Sequence, residues 1–180
     1  MTRTRIIFTY GTIAGIILIA ALLSAVFVGS MDNDWGMAFG FLTMFIALSF
    51  VFVGVKRYRD IELGGVIGFL PALWLGLGIA LFASLFYVIG WEVYLFATDY
   101  TFGASFAKGY VQQAAAAGAS EAELAVLRAE MAAFAASYAD PLYRIPVTFM
   151  EISPVALIVP LITAALLRNP RFMPARAVPV

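Results

Sequence analysis

The chain has 180 residues, of which 63% are apolar, 15% aromatic and 12% charged. Soluble domains are typically about 45–50% apolar and about 25% charged, so this composition excludes a water-soluble globule and indicates an integral membrane protein that contacts the lipid bilayer. The 11 basic and 11 acidic residues balance, which removes the electrostatic case for a nucleic-acid partner. Cysteine and histidine are absent, so we expect no disulfide, no zinc site and no cofactor.

Four apolar stretches are each long enough to cross a hydrocarbon core, which takes about 20 helical residues. They run from about 6 to 28, 36 to 55, 71 to 97 and 145 to 167. A signal peptide is the rival interpretation of the first stretch, but the stretch is long for one and no small-x-small cleavage site follows it. We therefore predict an all-α integral membrane protein, a single domain over 1–180 with four transmembrane helices.

Lysine and arginine concentrate on one side of the predicted membrane. The other side carries only Lys108, Arg128 and Arg144 of the 11 basic residues. The cytoplasmic side normally has the excess, so we expect a multi-pass protein with both termini in the cytoplasm. The basic residues of that side are Arg3, Arg5, Lys56, Arg57, Arg59, Arg168, Arg171 and Arg176.

The connections between the spans differ in length. Short turns at 29–35 and 56–60 join the first three spans, whereas the segment from about 98 to 144 has a helical pattern of its own. Ser120 followed by Glu123 is a capping-box pattern, and apolar residues then recur at three- and four-residue steps. We predict an outer helical hairpin whose two stripes cover each other; a lid, a partner-docking surface and an element lying on the bilayer are the alternatives. The stripes are Phe102, Phe106 and Tyr110, then Leu124, Leu127, Met131, Phe134 and Tyr138.

Two acidic residues lie inside the predicted spans, Glu92 in the third and Glu151 in the fourth. An acid at mid-membrane costs at least about 2.5–3.5 kcal/mol and is by default a candidate for function. At about 1.5 Å per residue, Glu92 lies about 8 Å and Glu151 about 9 Å below the outer ends of their spans. The two carboxylates are therefore predicted to lie in one layer of the outer leaflet.

Helical spacing places polar and aromatic side chains beside both acids. Pro154 has no amide to donate to the carbonyl of Met150, which predicts a broken helix with a spare oxygen beside a buried Glu151. The open arrangements are an ion cluster with Arg144, a shared proton, a hard cation held by the two carboxylates, and a purely structural role in which the acids reach interfacial water. The candidate site comprises Glu92, Glu151, Arg144, Tyr94, Trp91, Thr148 and Tyr87.

Three motifs carry a family resemblance. They are the run Gly54 to Asp60 (GVKRYRD), Trp91-Glu92-x-Tyr94, and the run Thr148 to Pro154 (TFMEI-x-P). With these motifs the chain resembles the small four-span bacterial membrane proteins grouped as domain of unknown function 4199. The resemblance covers essentially the whole chain, implies a location in the inner membrane and supports Glu92 and Glu151 as motif positions. It supplies no activity.

Three functional hypotheses follow from these observations. The first is a non-enzymatic membrane protein, a homo-oligomer, whose carboxylate pair binds a proton, a cation or a small cationic ligand, in the service of transport. The second is an accessory or scaffold subunit whose hairpin docks an envelope protein partner. The third, an intramembrane enzyme acting on lipid or peptidoglycan precursors, is the least favoured because no nucleophile or metal motif accompanies the acids.

Overall fold

A computed structural model describes residues 2–28 and 36–175 of the chain. Within them all regular structure is helical, which confirms the predicted all-α fold. Four of the six helices are long and apolar enough to cross a membrane. The helices are α1 (Arg3–Val28), α2 (Gly36–Glu62), α3 (Phe69–Ala97), α4 (Phe102–Ala116), α5 (Glu121–Tyr138) and α6 (Pro141–Leu167).

The structure corrects two predictions of local structure, the first of which concerns the connection between α2 and α3. The segment 56–60, predicted as a turn, is the end of α2, because Lys56 pairs with Asp60 one helical turn away and stabilises the helix there. The chain turns instead at Gly64 and Gly65, whose φ angles of +64° and +91° suit residues without a Cβ. The predicted turn at 29–35 lies outside the described residues.

The helix break predicted at Pro154 is also wrong, since α6 runs without interruption from Pro141 to Leu167. Pro141 occupies the first helical position, where its missing amide has no helical partner to lose. A membrane helix tolerates internal prolines when neighbouring helices pack closely against it. Pro160 has such a neighbour in α3, because a Cβ on Gly76 would lie only 3.1 Å from it.

The chain forms two compact units. Unit 1 consists of Met1–Gly90 and Glu151–Val180, and unit 2 is Trp91–Met150. The boundaries fall inside α3 and α6, so each unit holds one part of both helices. Each candidate acid lies next to a boundary, Glu92 in unit 2 and Glu151 in unit 1.

In unit 1, glycines of α1 receive aromatic rings of α3. A Cβ on Gly15 would lie 2.5 Å from the ring of Phe86, and one on Gly11 would lie 2.7 Å from Phe82. This G-x-x-x-G pair therefore serves packing within the chain. Along its most apolar window α3 is 50% buried, against 33% for each of the other three spans. The fully buried residues include Ala14, Ala47, Leu48, Val51, Ile79, Ala83, Ile152 and Val155.

In unit 2, α4 and α5 form the predicted hairpin and pack on one another. The buried residues of α4 are two small ones, Gly103 and Ala107. The predicted stripe residues Phe106 and Tyr110 stay about half exposed, at 45% and 48%. The two predicted stripes still meet, because the Phe102 ring lies 5.8 Å from that of Tyr138 and the Phe106 ring lies 5.6 Å from that of Phe134.

The capping box is confirmed. The Ser120 hydroxyl accepts the amide hydrogen of Glu123, and the Glu123 carboxylate accepts that of Ser120 at 2.8 Å. The Ser120 hydroxyl, which donates to the Glu123 carboxylate at 2.7 Å, and the Ser120 amide together hold the pKa of Glu123 below its ordinary value. The hairpin thus has a defined start for α5, directly after the turn at Gly118.

Candidate functional site

Arg144 and Glu92 form the charged centre of unit 2. The Nε and Nη2 atoms of Arg144 donate to the two carboxylate oxygens of Glu92, at 2.7 and 2.8 Å. Its Nη1 donates to the backbone carbonyls of Tyr138 and Ala139, at 3.1 and 3.0 Å. Arg144 is 2% exposed and the Glu92 side chain 25%. This two-pronged ion pair neutralises Glu92 and engages both of its oxygens, so it leaves no bare carboxylate for a cation.

A strained turn brings an aromatic ring to the same arginine. Asp99 and Tyr100 both have left-handed backbones, with φ of +49° and +55°, a conformation that costs about 1–2 kcal/mol per residue without glycine. The Tyr100 amide closes α3 by donating to the Leu95 carbonyl at 2.8 Å. The Arg144 guanidinium lies 5.0 Å from the centre of the Tyr100 ring. Contacts of this kind hold strained backbone in place.

The remaining predicted residues of unit 2 have structural partners. The Trp91 indole donates to the Tyr138 hydroxyl at 2.7 Å, and its ring lies 5.2 Å from that of Tyr94. The Thr148 hydroxyl donates to the Arg144 carbonyl at 3.0 Å, within its own helix. These contacts fix the base of the hairpin around Arg144.

Glu151 lies in a different environment, in unit 1. Its side chain is exposed, so the prediction that it is buried is wrong. The recorded partner of its carboxylate is the hydroxyl of Tyr87, a residue only 6% exposed. Neighbouring positions on α6 are apolar and exposed, with Met150 at 70% and Leu157 at 54%. Among the described residues no ion pair includes Glu151.

The seven residues of the predicted site therefore belong to two different units. Unit 2 brings together Glu92, Arg144, Trp91, Tyr94 and Thr148, whereas unit 1 holds Glu151 and Tyr87. The meeting of the two carboxylates stays a prediction. In the part of the chain that the structure describes, no group of three or more acidic side chains is placed to hold a metal ion.

The family model described as Protein of unknown function (DUF4199) matches residues 9–169, nearly the whole chain. The chain belongs to this family. The match includes both candidate acids and Arg144, and it confirms the resemblance noted in the sequence. No curated protein and no solved structure matches the chain. The DUF4199 description assigns no activity, so function must be argued from the sites.

Sequence reasoning missed a second buried arginine in this DUF4199 chain. Arg59 is 0% exposed and donates to the carboxylate of Asp60 at 2.6 Å. Its two terminal nitrogens donate to the carbonyls of Phe172 and Met173, at 3.0 and 2.6 Å. The sequence explained Arg59 by membrane orientation alone. No local signal could have found carbonyl partners more than a hundred residues away.

Proposed function

We propose that this protein is a non-enzymatic protein of the bacterial inner membrane that binds a proton or a cation at Glu151. The observation that carries the proposal is an acid exposed on the apolar face of a candidate span, with a neutral hydroxyl from Tyr87 as its recorded partner. Glu92 offers no equal site because Arg144 already neutralises it. The proposed binding site therefore contains one carboxylate, that of Glu151, in place of the two predicted from the sequence.

The energetic argument concerns the charge of Glu151. An ionised acid within a membrane span costs at least about 2.5–3.5 kcal/mol at mid-membrane, and a bound proton or cation removes that cost. Glu151 lies ten residues into α6, which is about 15 Å along the helix from Pro141. The Tyr87 hydroxyl orients the carboxylate without neutralising it. A group of this kind can exchange a proton or cation with an aqueous phase, which is the elementary step of coupled transport.

Orientation and assembly belong to the same proposal. Arg3 and Tyr58 are in contact, so the start of α1 and the end of α2 lie at one basic end of unit 1, which supports cytoplasmic termini.

Four spans are few for a transport pathway, and most oligomers built from one kind of chain are symmetric. We propose a homo-oligomer in which a second copy covers the exposed Glu151 face.

The test is thermal unfolding of purified protein in nanodiscs across pH and in Na⁺, K⁺ or Ca²⁺. We expect the melting temperature of the wild type to depend on pH or on one cation, and Glu151→Gln to remove most of that dependence, leaving the smaller acid effect of the Glu123 capping box. Tyr87→Phe should weaken it. Glu130→Gln, which removes an exposed acid of the hairpin, is the matched control and should behave as the wild type. A dependence that survives intact in Glu151→Gln would overturn the proposal.

A scaffold function is the second candidate, favoured by exposed apolar side chains on a hairpin with a fixed base. Phe106 on α4 and Val126 on α5 are 45% and 59% exposed. An envelope protein bound there should be cross-linked to the wild type in native membranes and lost from Phe106→Ser or Val126→Asp. Loss of the same partner from Glu151→Gln would instead tie it to the membrane face of α6.

A further inference from the structure

Three separate segments of the chain meet at one end of unit 1. The Arg3 Nε donates to the Tyr58 hydroxyl at 3.2 Å, which joins the start of α1 to the end of α2. The guanidinium of Arg59 binds the carbonyls of Phe172 and Met173, which joins the end of α2 to the segment after α6. We name this surface, formed by residues 3–5, 56–62 and 168–175, the basic end.

The basic end presents arginine to its surroundings. Of its acids, Asp60 is paired with Lys56 and Arg59, so that Glu62 is the one exposed acid in the described residues of this surface. The positive charge is therefore in excess and accessible. The exposed arginines are Arg3, Arg5, Arg57, Arg168 and Arg171.

The segment after α6 is held firmly in this arrangement. The Phe172 ring meets the Phe52 ring edge to face, with 6.3 Å between centres. A Cβ built on Gly65 would lie 3.3 Å from that of Ala175, so the segment passes close to the turn between α2 and α3. Arg168 and Arg171 belong to this held segment. Arg59 is thus a positioning residue that ties the segment carrying Arg168 and Arg171 to the end of α2.

We propose that the basic end binds the phosphate headgroup of an anionic phospholipid. Guanidinium groups bind phosphate oxygens through paired hydrogen bonds, and arginines that meet at the ends of membrane helices are typical headgroup sites. Charge complementarity selects an anionic lipid over a zwitterionic one. The location agrees, because the candidate spans Arg3–Ala25, Ala38–Glu62 and Pro141–Leu167 each have an end at this surface. The site is separate from Glu151 and does not depend on its role.

The experiment compares the melting temperature of the full chain in nanodiscs of phosphatidylcholine and of phosphatidylcholine mixed equally with phosphatidylglycerol. The test variant is Arg57→Gln/Arg171→Gln, and the control is Lys108→Gln/Arg128→Gln, which removes the same charge from the hairpin. We expect phosphatidylglycerol to raise the melting temperature of the wild type and the control. The test variant should lose about half of that rise, while its melting temperature in phosphatidylcholine stays at the wild-type value.

Two further measurements separate lipid from free anion and structure from binding. Inorganic phosphate added to phosphatidylcholine discs should not reproduce the rise; if it does, the site takes free phosphate and the lipid proposal fails. Arg59→Met should reduce the difference between the two lipid compositions, because Arg168 and Arg171 lose their positions. No rise in the wild type, or equal losses in the test and control variants, would overturn the proposal.

Discussion

Among the described residues, each unit of the molecule has one buried arginine, and the two arginines bind the same kinds of acceptor. Arg144 in unit 2 and Arg59 in unit 1 both bind one carboxylate and two backbone carbonyls. The two arginines differ in which of their acceptors lies far away in the sequence. Arg144 reaches 52 residues to the Glu92 carboxylate, whereas Arg59 reaches 113 and 114 residues to two carbonyls.

This difference determines what remains when the arginine is removed. Without Arg144, the Glu92 carboxylate would stay partly buried, and no other described basic side chain forms an ion pair with it. Without Arg59, Asp60 keeps its bond to Lys56, and the carbonyls of Phe172 and Met173 can turn to water. A stranded charge costs more than a released carbonyl, so the two arginines should contribute unequally to stability.

The largest expected effect is that of Arg144→Met. Breaking a buried ion pair by removing one partner typically costs about 3–5 kcal/mol. Denaturant unfolding in detergent micelles measures the loss, and adding Glu92→Gln to the same chain should recover part of it. The control is Arg128→Met, because Arg128 and Glu121 are an exposed pair at 3.4 Å worth less than about 1 kcal/mol. Equal losses in the two single variants would contradict the comparison.

Arg59→Met should cost less, about 1.5–3 kcal/mol, the range for hydrogen bonds to a charged group. Its effect should also be local, since the distant acceptors lie after α6. Limited proteolysis should show faster cleavage within 168–175, with α4 and α5 as protected as in the wild type. Arg57→Met, at an exposed neighbouring position, should leave cleavage unchanged. A terminal segment that stays protected in Arg59→Met would show that other contacts hold it.

The sequence predicts those features that depend on local properties. The four spans follow from continuous apolar length, and the start of α5 follows from Ser120 and Glu123. Helical spacing and depth also offered the pairing of Arg144 with Glu92 as one of the open arrangements, and the structure shows this ion pair. The partners of Arg59 could not be predicted, because its contacts with Phe172 and Met173 depend on tertiary packing. The aromatic stripe of α4 was predicted to face α5, and Phe106 does contact Phe134, but the buried positions of α4 are the small residues Gly103 and Ala107, which the stripe pattern did not identify. Helical spacing also gives the face on which Glu151 lies, but not whether a neighbour covers that face.

The helix packing of unit 1 away from Arg59 can be tested by substituting two glycines. In Gly15→Ala the new Cβ would fall 2.5 Å from the Phe86 ring, and forced overpacking typically costs about 1–3 kcal/mol. Gly40→Ala is the matched control, because no described side chain lies within 4 Å of its Cβ position and the helix gains up to about 1 kcal/mol of propensity. Denaturant unfolding should give a lower free energy of unfolding for Gly15→Ala and a higher one for Gly40→Ala. A destabilised Gly40→Ala would instead indicate a contact between copies at that face.

The smallest expected effect concerns the hairpin of unit 2, away from Arg144. Ser120→Ala should cost about 1 kcal/mol, the usual value of a helix N-cap. The bonds from Ser120 hold the pKa of Glu123 below the ordinary 4.5, so their contribution is complete above that pH and is lost as the pH falls towards the folded-state value. Hydrogen-exchange protection in the first turn of α5, corrected for intrinsic rates, should therefore fall more steeply with acid in the wild type than in Ser120→Ala. Ser137→Ala, near the other end of α5, should retain the wild-type profile, whereas equal acid losses in all three chains would mean that the capping box does not couple this helix to pH.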